Sequence, residues 1–352
     1  MLVYLSQILG FTLIAFLVSF AVYPLYIQQL HRWKAGKSIR EDTATGEKAE
    51  IFNQLHAYKA GTPTMGGGLF LLIMGLMIGA SVILQKLGWI TNSLRNQQET
   101  YIILFGFFSM GLIGLIDDIL NIKQVGKVKG LNMRAKLIGL FIFSAAISYW
   151  FYVRLGIDYI NLRPIAGKVS LGRGFPILTF FATIVIVNAI NITDGLDGLA
   201  GGLNISVLSV FLIAALLNGT FIAATVISII IAILGAFLFF NIKPAKVFMG
   251  DSGAFALGGI IASMLYLLNM RTGIFIPFLV LFLLFMIEIL SSGLQMGRKK
   301  VFHKKLFTIA PLHHRLEYRG QAEYTIVMRL RLIQTVLMVI AILGLLIQNA
   351  LD

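Results

Sequence analysis

Asn188–Gly202 reads N-A-I-N-I-T-D-G-L-D-G-L-A-G-G. An apolar run, Phe175–Val187, ends just before it, and another, Leu203–Leu217, begins just after. The stretch holds two carboxylates, Asp194 and Asp197, and two side-chain amides, Asn188 and Asn191, with Gly195, Gly198, Gly201 and Gly202 threaded among them. If the flanking runs cross a bilayer, this is a polar turn at the membrane surface. Glycines let backbone approach a ligand closely, and carboxylates can hold a cation or a sugar hydroxyl. A plain connecting loop needs only turn residues. Acids and amides packed this densely beside hydrocarbon are costly and point to a site.

The rest of the chain fits a membrane setting. It is 58% hydrophobic and 12% charged, whereas a soluble domain is about half apolar and about a quarter charged. An all-α polytopic membrane protein is expected, with residues 1–352 forming one domain. The absence of cysteine excludes disulfides and thiolate ligands. The net charge of +14 sits in loops between apolar runs. No aromatic-basic nucleic-acid module accompanies it, so the expected partners are membrane lipid headgroups and a phosphorylated substrate rather than nucleic acid. The first basic side chain is Arg32, so the first segment lacks a basic leader and is expected to stay as an anchor.

A span needs about 20 apolar residues. Candidates lie at 3–30, 66–87, 101–120, 135–153, 175–190, 200–217, 220–241, 253–269, 274–296 and 331–349, which makes about ten transmembrane helices. The fifth is short, and the ninth carries Glu288, Ser291, Ser292 and Gly293, where a kink is expected. Most Lys and Arg fall in alternate loops, leaving Lys86, Arg95, Arg154, Arg163, Lys168, Arg173 and Arg271 on the other side. The basic side is cytoplasmic, so both termini are periplasmic. His31, His56, His303, His313 and His314 then face the cytosol, together with Asp117, Asp118, Asp194, Asp197 and Asp251. The outer segment Arg154–Gly174, with its alternating I-A-G-K-V-S-L, predicts a small hairpin.

Four further segments carry candidate chemistry. Lys59–Gly68, K-A-G-T-P-T-M-G-G-G, opens the second span. A glycine-rich helix N-terminus with Lys59, Thr62 and Thr64 suits an anion, although Thr capping with Pro63 in the first turn would also account for it. Gly114–Asn121, G-L-I-D-D-I-L-N, ends the third span. Adjacent acids on a helix point about 100° apart, and Asp117 and Asp118 stand at a helix C-terminus, which prefers cations. That cost calls for a metal or a basic partner, and Lys123, Lys127 and Lys129 are near in sequence. Phe240–Gly253 contains F-M-G-D-S-G, with Asp251 on a bend opening the eighth span and Asn241 and Lys246 nearby in sequence. Phe248 could stack on a nucleobase or pack as an interface aromatic. Ala310–Glu317, A-P-L-H-H-R-L-E, could bind phosphate or move a proton. Together these segments supply what a metal-assisted reaction on a phosphate needs.

In order, K-A-G-T-P-T-M-G-G, G-L-I-D-D, N-A-I-N-I-T-D-G-L-D-G-L-A, F-M-G-D-S-G-A and P-L-H-H-R-L-E resemble the motifs of the polyprenyl-phosphate N-acetylhexosamine-1-phosphate transferase superfamily. The first and last are similar to its phospho-N-acetylmuramoyl-pentapeptide-transferase branch. The resemblance implies transfer of phospho-MurNAc-pentapeptide from UDP-MurNAc-pentapeptide to undecaprenyl phosphate, giving lipid I and UMP. It also implies a Mg²⁺ cofactor, the bacterial inner membrane and a homodimer. By the same resemblance Asp117, Asp118, Asp251 and His313 are catalytic, with Asp251 and Asp117 holding the metal. Lys59, Thr64, Lys136, Asn191, Asp194, Asp197, Asn241, Phe248 and His314 then line the substrate pocket. Asn121 stands where the family often has Lys, and Arg315 where it often has a third His. The prenyl tail is expected along an apolar groove beside the kink near Glu288–Gly293. The rival readings are a sister transferase using UDP-N-acetylglucosamine and a lipid-phosphate transporter; the latter usually carries inverted repeats with broken helices near the midplane.

Overall fold

The structure, a computed structural model, describes residues 2–36, 59–95, 98–123, 130–163, 165–304 and 306–350. His56, Lys127 and Lys129 lie outside the described residues. Each apolar run forms a helix, the fold that satisfies backbone groups internally where water is absent. In chain order these are α1 (Leu2–Arg32), α2 (Gly68–Lys86), α3 (Gln98–Ile122), α4 (Met133–Tyr149), α5 (Gly174–Thr193), α6 (Leu199–Leu217), α7 (Phe221–Asn241) and α8 (Gly250–Thr272). There follow α9 (Phe275–Leu281), α10 (Leu283–Phe302), α11 (Leu312–Tyr318) and α12 (Glu323–Ala350). Among the described residues, nine are long and apolar enough to cross a membrane, and the pair α9 and α10, bent by 62°, counts as a tenth if it forms one broken span. The expected hairpin is present: β1 (Tyr159–Asn161) pairs antiparallel with β2 (Lys168–Ser170), Ile160 opposite Val169.

The core is centred on α8, which is buried along nearly its whole length. A helix apolar on every side belongs inside a bundle. Its closest neighbour is α3, and small residues set the separation. A Cβ on Gly259 would lie 2.1 Å from the Gly106 carbonyl oxygen, and one on Gly114 would lie 2.1 Å from the Asp251 carbonyl oxygen. The two backbones are therefore in contact at the end where the acids sit.

Three expectations need correction. The fifth span is a regular helix to Thr193, because its polar end satisfies itself: Asn188 Nδ2 donates to the Ile184 carbonyl at 2.8 Å, and Thr193 Oγ1 to that of Ala189 at 2.7 Å. The ninth span breaks at Phe282, and α10 runs unbroken through Glu288–Gly293. The break is stabilised from outside, since the buried Gln334 of α12 donates its Nε2 to the Leu281 carbonyl at 2.9 Å. Span ten begins at Glu323 rather than 331, because the helix continues past the apolar region on an amphipathic turn that buries Ile326, Val327 and Leu330.

Gly114→Ala should force α3 from α8 and cost about 1–3 kcal/mol, the usual penalty of overpacking. Gly75→Ala, where a Cβ meets nothing within 4 Å, serves as the control. Thermal unfolding of the purified protein in detergent measures both, and equal melting temperatures would rule out the tight crossing.

Candidate active site

Asp117 and Asp118 end α3, and Asp251 sits in the first turn of α8. Each offers one oxygen within 4.8 Å of the others. The bend at Gly250 makes this possible. Its φ of +74° is one that L side chains rarely adopt, and a Cβ there would fall 2.6 Å from Asp118 Oδ2. Asp118 accepts the backbone N–H of Asp251 at 3.2 Å on one oxygen and that of Ser252 at 3.0 Å on the other. It thus caps α8 from a neighbouring helix. The acid that is ill placed on its own helix dipole is well placed on the next.

Asp117 and Asp251 are joined by Lys136, from the first turn of α4. Its ammonium lies 3.0 Å from Asp117 Oδ2 and also bonds Asp251 Oδ2. Asp117 Oδ1 accepts from the Leu131 backbone N–H at 2.8 Å, and Asp251 Oδ1 from Asn191 Nδ2 at 2.7 Å. The partners of Asp251 are therefore Lys136 and Asn191, not the sequence neighbours Asn241 and Lys246. The three clustered carboxylates could hold a metal ion, since each offers a hard oxygen ligand.

The glycine-rich turn before α2 is tied to this site through backbone. Phe248 N–H donates to the Pro63 carbonyl, Gly66 N–H to that of Phe248 and Gly67 N–H to that of Met249, each at 2.8 Å. Thr64, half-buried, donates its N–H to the Ala35 carbonyl at 2.9 Å. The helix that follows has no side-chain cap, so Thr capping does not explain the threonines. Lys59 is buried and pairs with Asp197 at 2.7 Å and with Glu323. Its ammonium lies 5.9 Å from the Phe248 ring centroid. Burial opposes its charge, but Asp197 and Glu323 outweigh that and hold its pKa above the ordinary lysine value. Glu323 also accepts the Asp197 backbone N–H at 2.8 Å and pairs with Lys243 at 2.8 Å. Asn241 locks the same turn: its Oδ1 accepts from Gly198 N–H at 3.0 Å and its Nδ2 donates to the Val247 carbonyl at 2.9 Å.

The His motif forms α11. His313 is fully buried, with Nδ1 3.0 Å from Glu288 Oε2, and His314 Nδ1 lies 2.7 Å from Glu317 Oε2. The two rings are in edge contact at 4.2 Å.

All but Thr64 of the residues expected from sequence fall in or between three adjoining groups. Asp117, Asp118, Asp251, Lys136 and Asn191 form one. Lys59, Asp197, Asn241 and Phe248 form the second. His313 and His314 form the third, with His313 lying against Gly195. Asp194 closes α5, donating its N–H to the Asn191 carbonyl at 3.3 Å between the first and third groups. The sequence reading passed over Glu317 and Glu323 and noted Glu288 only as an acid inside a span. All three are buried carboxylates bound to site residues. An acid in an apolar span was the available signal for Glu288, and the i,i+3 spacing from His314 was the signal for Glu317; nothing local marked Glu323.

Residues 100–269 match the profile of glycosyl transferase family 4, and residues 59–71 match phospho-N-acetylmuramoyl-pentapeptide-transferase signature 1. The phospho-N-acetylmuramoyl-pentapeptide-transferase of Clostridium acetobutylicum is 36% identical over 341 residues, covering 95% of this chain and 97% of that one. Those of Clostridium novyi and a Geobacillus species are 33% and 34% identical, covering 98% and 92% of this chain and 99% and 93% of their own. With its signature turn pinned against the acid-bearing bend, and relatives matching from end to end, this chain belongs to the phospho-N-acetylmuramoyl-pentapeptide-transferase family.

Proposed function

We propose that the protein transfers phospho-MurNAc-pentapeptide from UDP-MurNAc-pentapeptide to undecaprenyl phosphate, releasing UMP and leaving lipid I in the bacterial inner membrane. The reading takes residues 1–352 as one catalytic domain, working as a homodimer with its site toward the cytosol. The observation that carries it is the meeting of Asp117, Asp118 and Asp251 from two helices around Lys136.

In this reading an oxygen of the acceptor phosphate attacks the sugar-bearing phosphorus of the donor, and the bond to the UMP oxygen breaks. One pyrophosphate linkage is made as another is lost, so the reaction is reversible. Both reactants are anions, and the site's task is to position them and stabilise charge. Asp251 and Asp117 would hold Mg²⁺, which when bound neutralises and orients phosphate oxygens. Asp117 is assigned as the base on the acceptor phosphate, a role that requires Lys136 to release Oδ2. Asp118, with both oxygens on backbone N–H groups, holds α8 in register. Lys136 and Lys59 offer positive charge to the donor, and Phe248, beside Lys59, offers a face to the uracil. Asn191, Asp194, Asp197, Asn241, Thr64 and His314 shape the pocket, and His313 is the candidate for proton transfer. The prenyl tail lies on the apolar side of the bend at Phe282, in place of the Glu288–Gly293 kink expected from sequence.

UMP release from purified protein should require the donor, the acceptor and Mg²⁺; no release with all three present would overturn the reading. A donor panel should favour UDP-MurNAc-pentapeptide, and a preference for UDP-N-acetylglucosamine would select the sister-transferase reading. Asp251→Asn should abolish turnover at any Mg²⁺ concentration, so wild-type activity would refute its metal role. Asp117→Asn should slow lipid I formation at pH 7 by about 10²–10⁴-fold, the typical worth of a positioned base. A normal rate would end that assignment.

A further inference from the structure

Glu288 lies in the second turn of α10, just past the break at Phe282. It is buried, and its Oε2 faces His313 twice: Nδ1 at 3.0 Å and the backbone N–H at 3.4 Å. The backbone N–H can only donate, so Oε2 accepts it, and opposite an ionised Glu288, which has no proton to give, Nδ1 is the donor. A neutral ring then keeps its lone pair on Nε2. That Nε2 is buried, has no hydrogen-bond partner among the described residues, and is aimed at Gly195, where a Cβ would fall 2.2 Å away. The other imidazole does not share this arrangement, since His314 turns its Nδ1 to Glu317 on its own helix.

A satisfied core histidine would have both nitrogens bonded. Here one nitrogen is tied to a carboxylate supplied by a membrane span, and the other is directed at the D-G step of the Asn188–Gly202 turn. Only a residue without a side chain fits opposite it. This is the logic by which a buried carboxylate orients an imidazole for work at its far nitrogen.

We infer that Glu288 is a positioning residue, fixing His313 in the Nδ1–H form and presenting its basic Nε2 to the Asp194–Gly195 turn. The bend of span nine is then part of the site, because it carries the acid inward to α11. The inference rests on the transferase reading for its kinetic consequence, but not for the state of the ring.

The test compares full-length wild type, Glu288→Gln and Glu288→Leu, with His313→Ala to assign the ring signal. ¹⁵N-histidine spectra report the tautomer, UMP release gives kcat, and UMP binding and thermal unfolding report integrity. Wild type should show the Nδ1–H form. Glu288→Leu should lose it and drop kcat by about 10–100-fold, as removing the partner that orients a functional histidine does. UMP affinity and melting temperature should hold. Glu288→Gln, whose amide oxygen still accepts from Nδ1–H, should recover the tautomer and much of the rate. An unchanged tautomer and kcat in Glu288→Leu would overturn the inference. So would parallel losses of UMP affinity and melting temperature that Glu288→Gln shares, which mark a merely structural acid. A wild type that releases no UMP sinks the transferase reading instead, and the spectra still decide what Glu288 does.

Discussion

Three carboxylates within 4.8 Å of one another repel. At an effective dielectric of about 20, each ionised pair at that distance costs roughly 3–4 kcal/mol. Such a cluster persists only if the surrounding structure offsets it, and most of the architecture at this end of the bundle does so. Lys136 lies between Asp117 and Asp251. The N-terminus of α8 meets Asp118 with two backbone N–H groups. Asn191 donates to the remaining Asp251 oxygen. The Asp118 contacts need α3 and α8 to approach to backbone contact, which Gly114, Gly106 and Gly259 permit.

A second charged group, Lys59 with Asp197, Glu323 and Lys243, links α12 to the turn between α5 and α6. Burying one lysine among acids is favourable only when the pairing is complete, and Glu323 completes it with three donors. The backbone ladder from Pro63 to Met249 then ties the glycine-rich turn to the bend carrying Asp251. Segments far apart in sequence are thereby held by hydrogen bonds rather than by apolar packing alone. That suits a pocket that has to accept two anions without collapsing.

Much of this was legible beforehand, and the reason is physical. Hydrocarbon demands long apolar helices, so the spans could be read from composition. A hydrophobic chain tolerates acids only for cause, so Asp117, Asp118, Asp194, Asp197 and Asp251 stood out. The strain of two acids at the α3 C-terminus correctly signalled a compensating charge. The compensation comes from Lys136 and from the α8 N-terminus, and no sequence-local rule names either. The break in span nine was misplaced for a similar reason. Gly293 and its serine neighbours could kink a helix, but what stabilises the real break is Gln334, from a helix that follows much later in the chain. Glu323 carried no local mark, because its partners Lys59, Asp197 and Lys243 come from distant segments.

The central claim is that the acids of α3 and α8 form one cation site. Mn²⁺, a spectroscopically visible stand-in for Mg²⁺, tests it directly by electron paramagnetic resonance on purified protein. The account predicts one ion bound per chain, displaced by Mg²⁺ and lost when Asp251 and Asp117 are both replaced by Asn. A doubly substituted protein that binds the ion as tightly as wild type would contradict it.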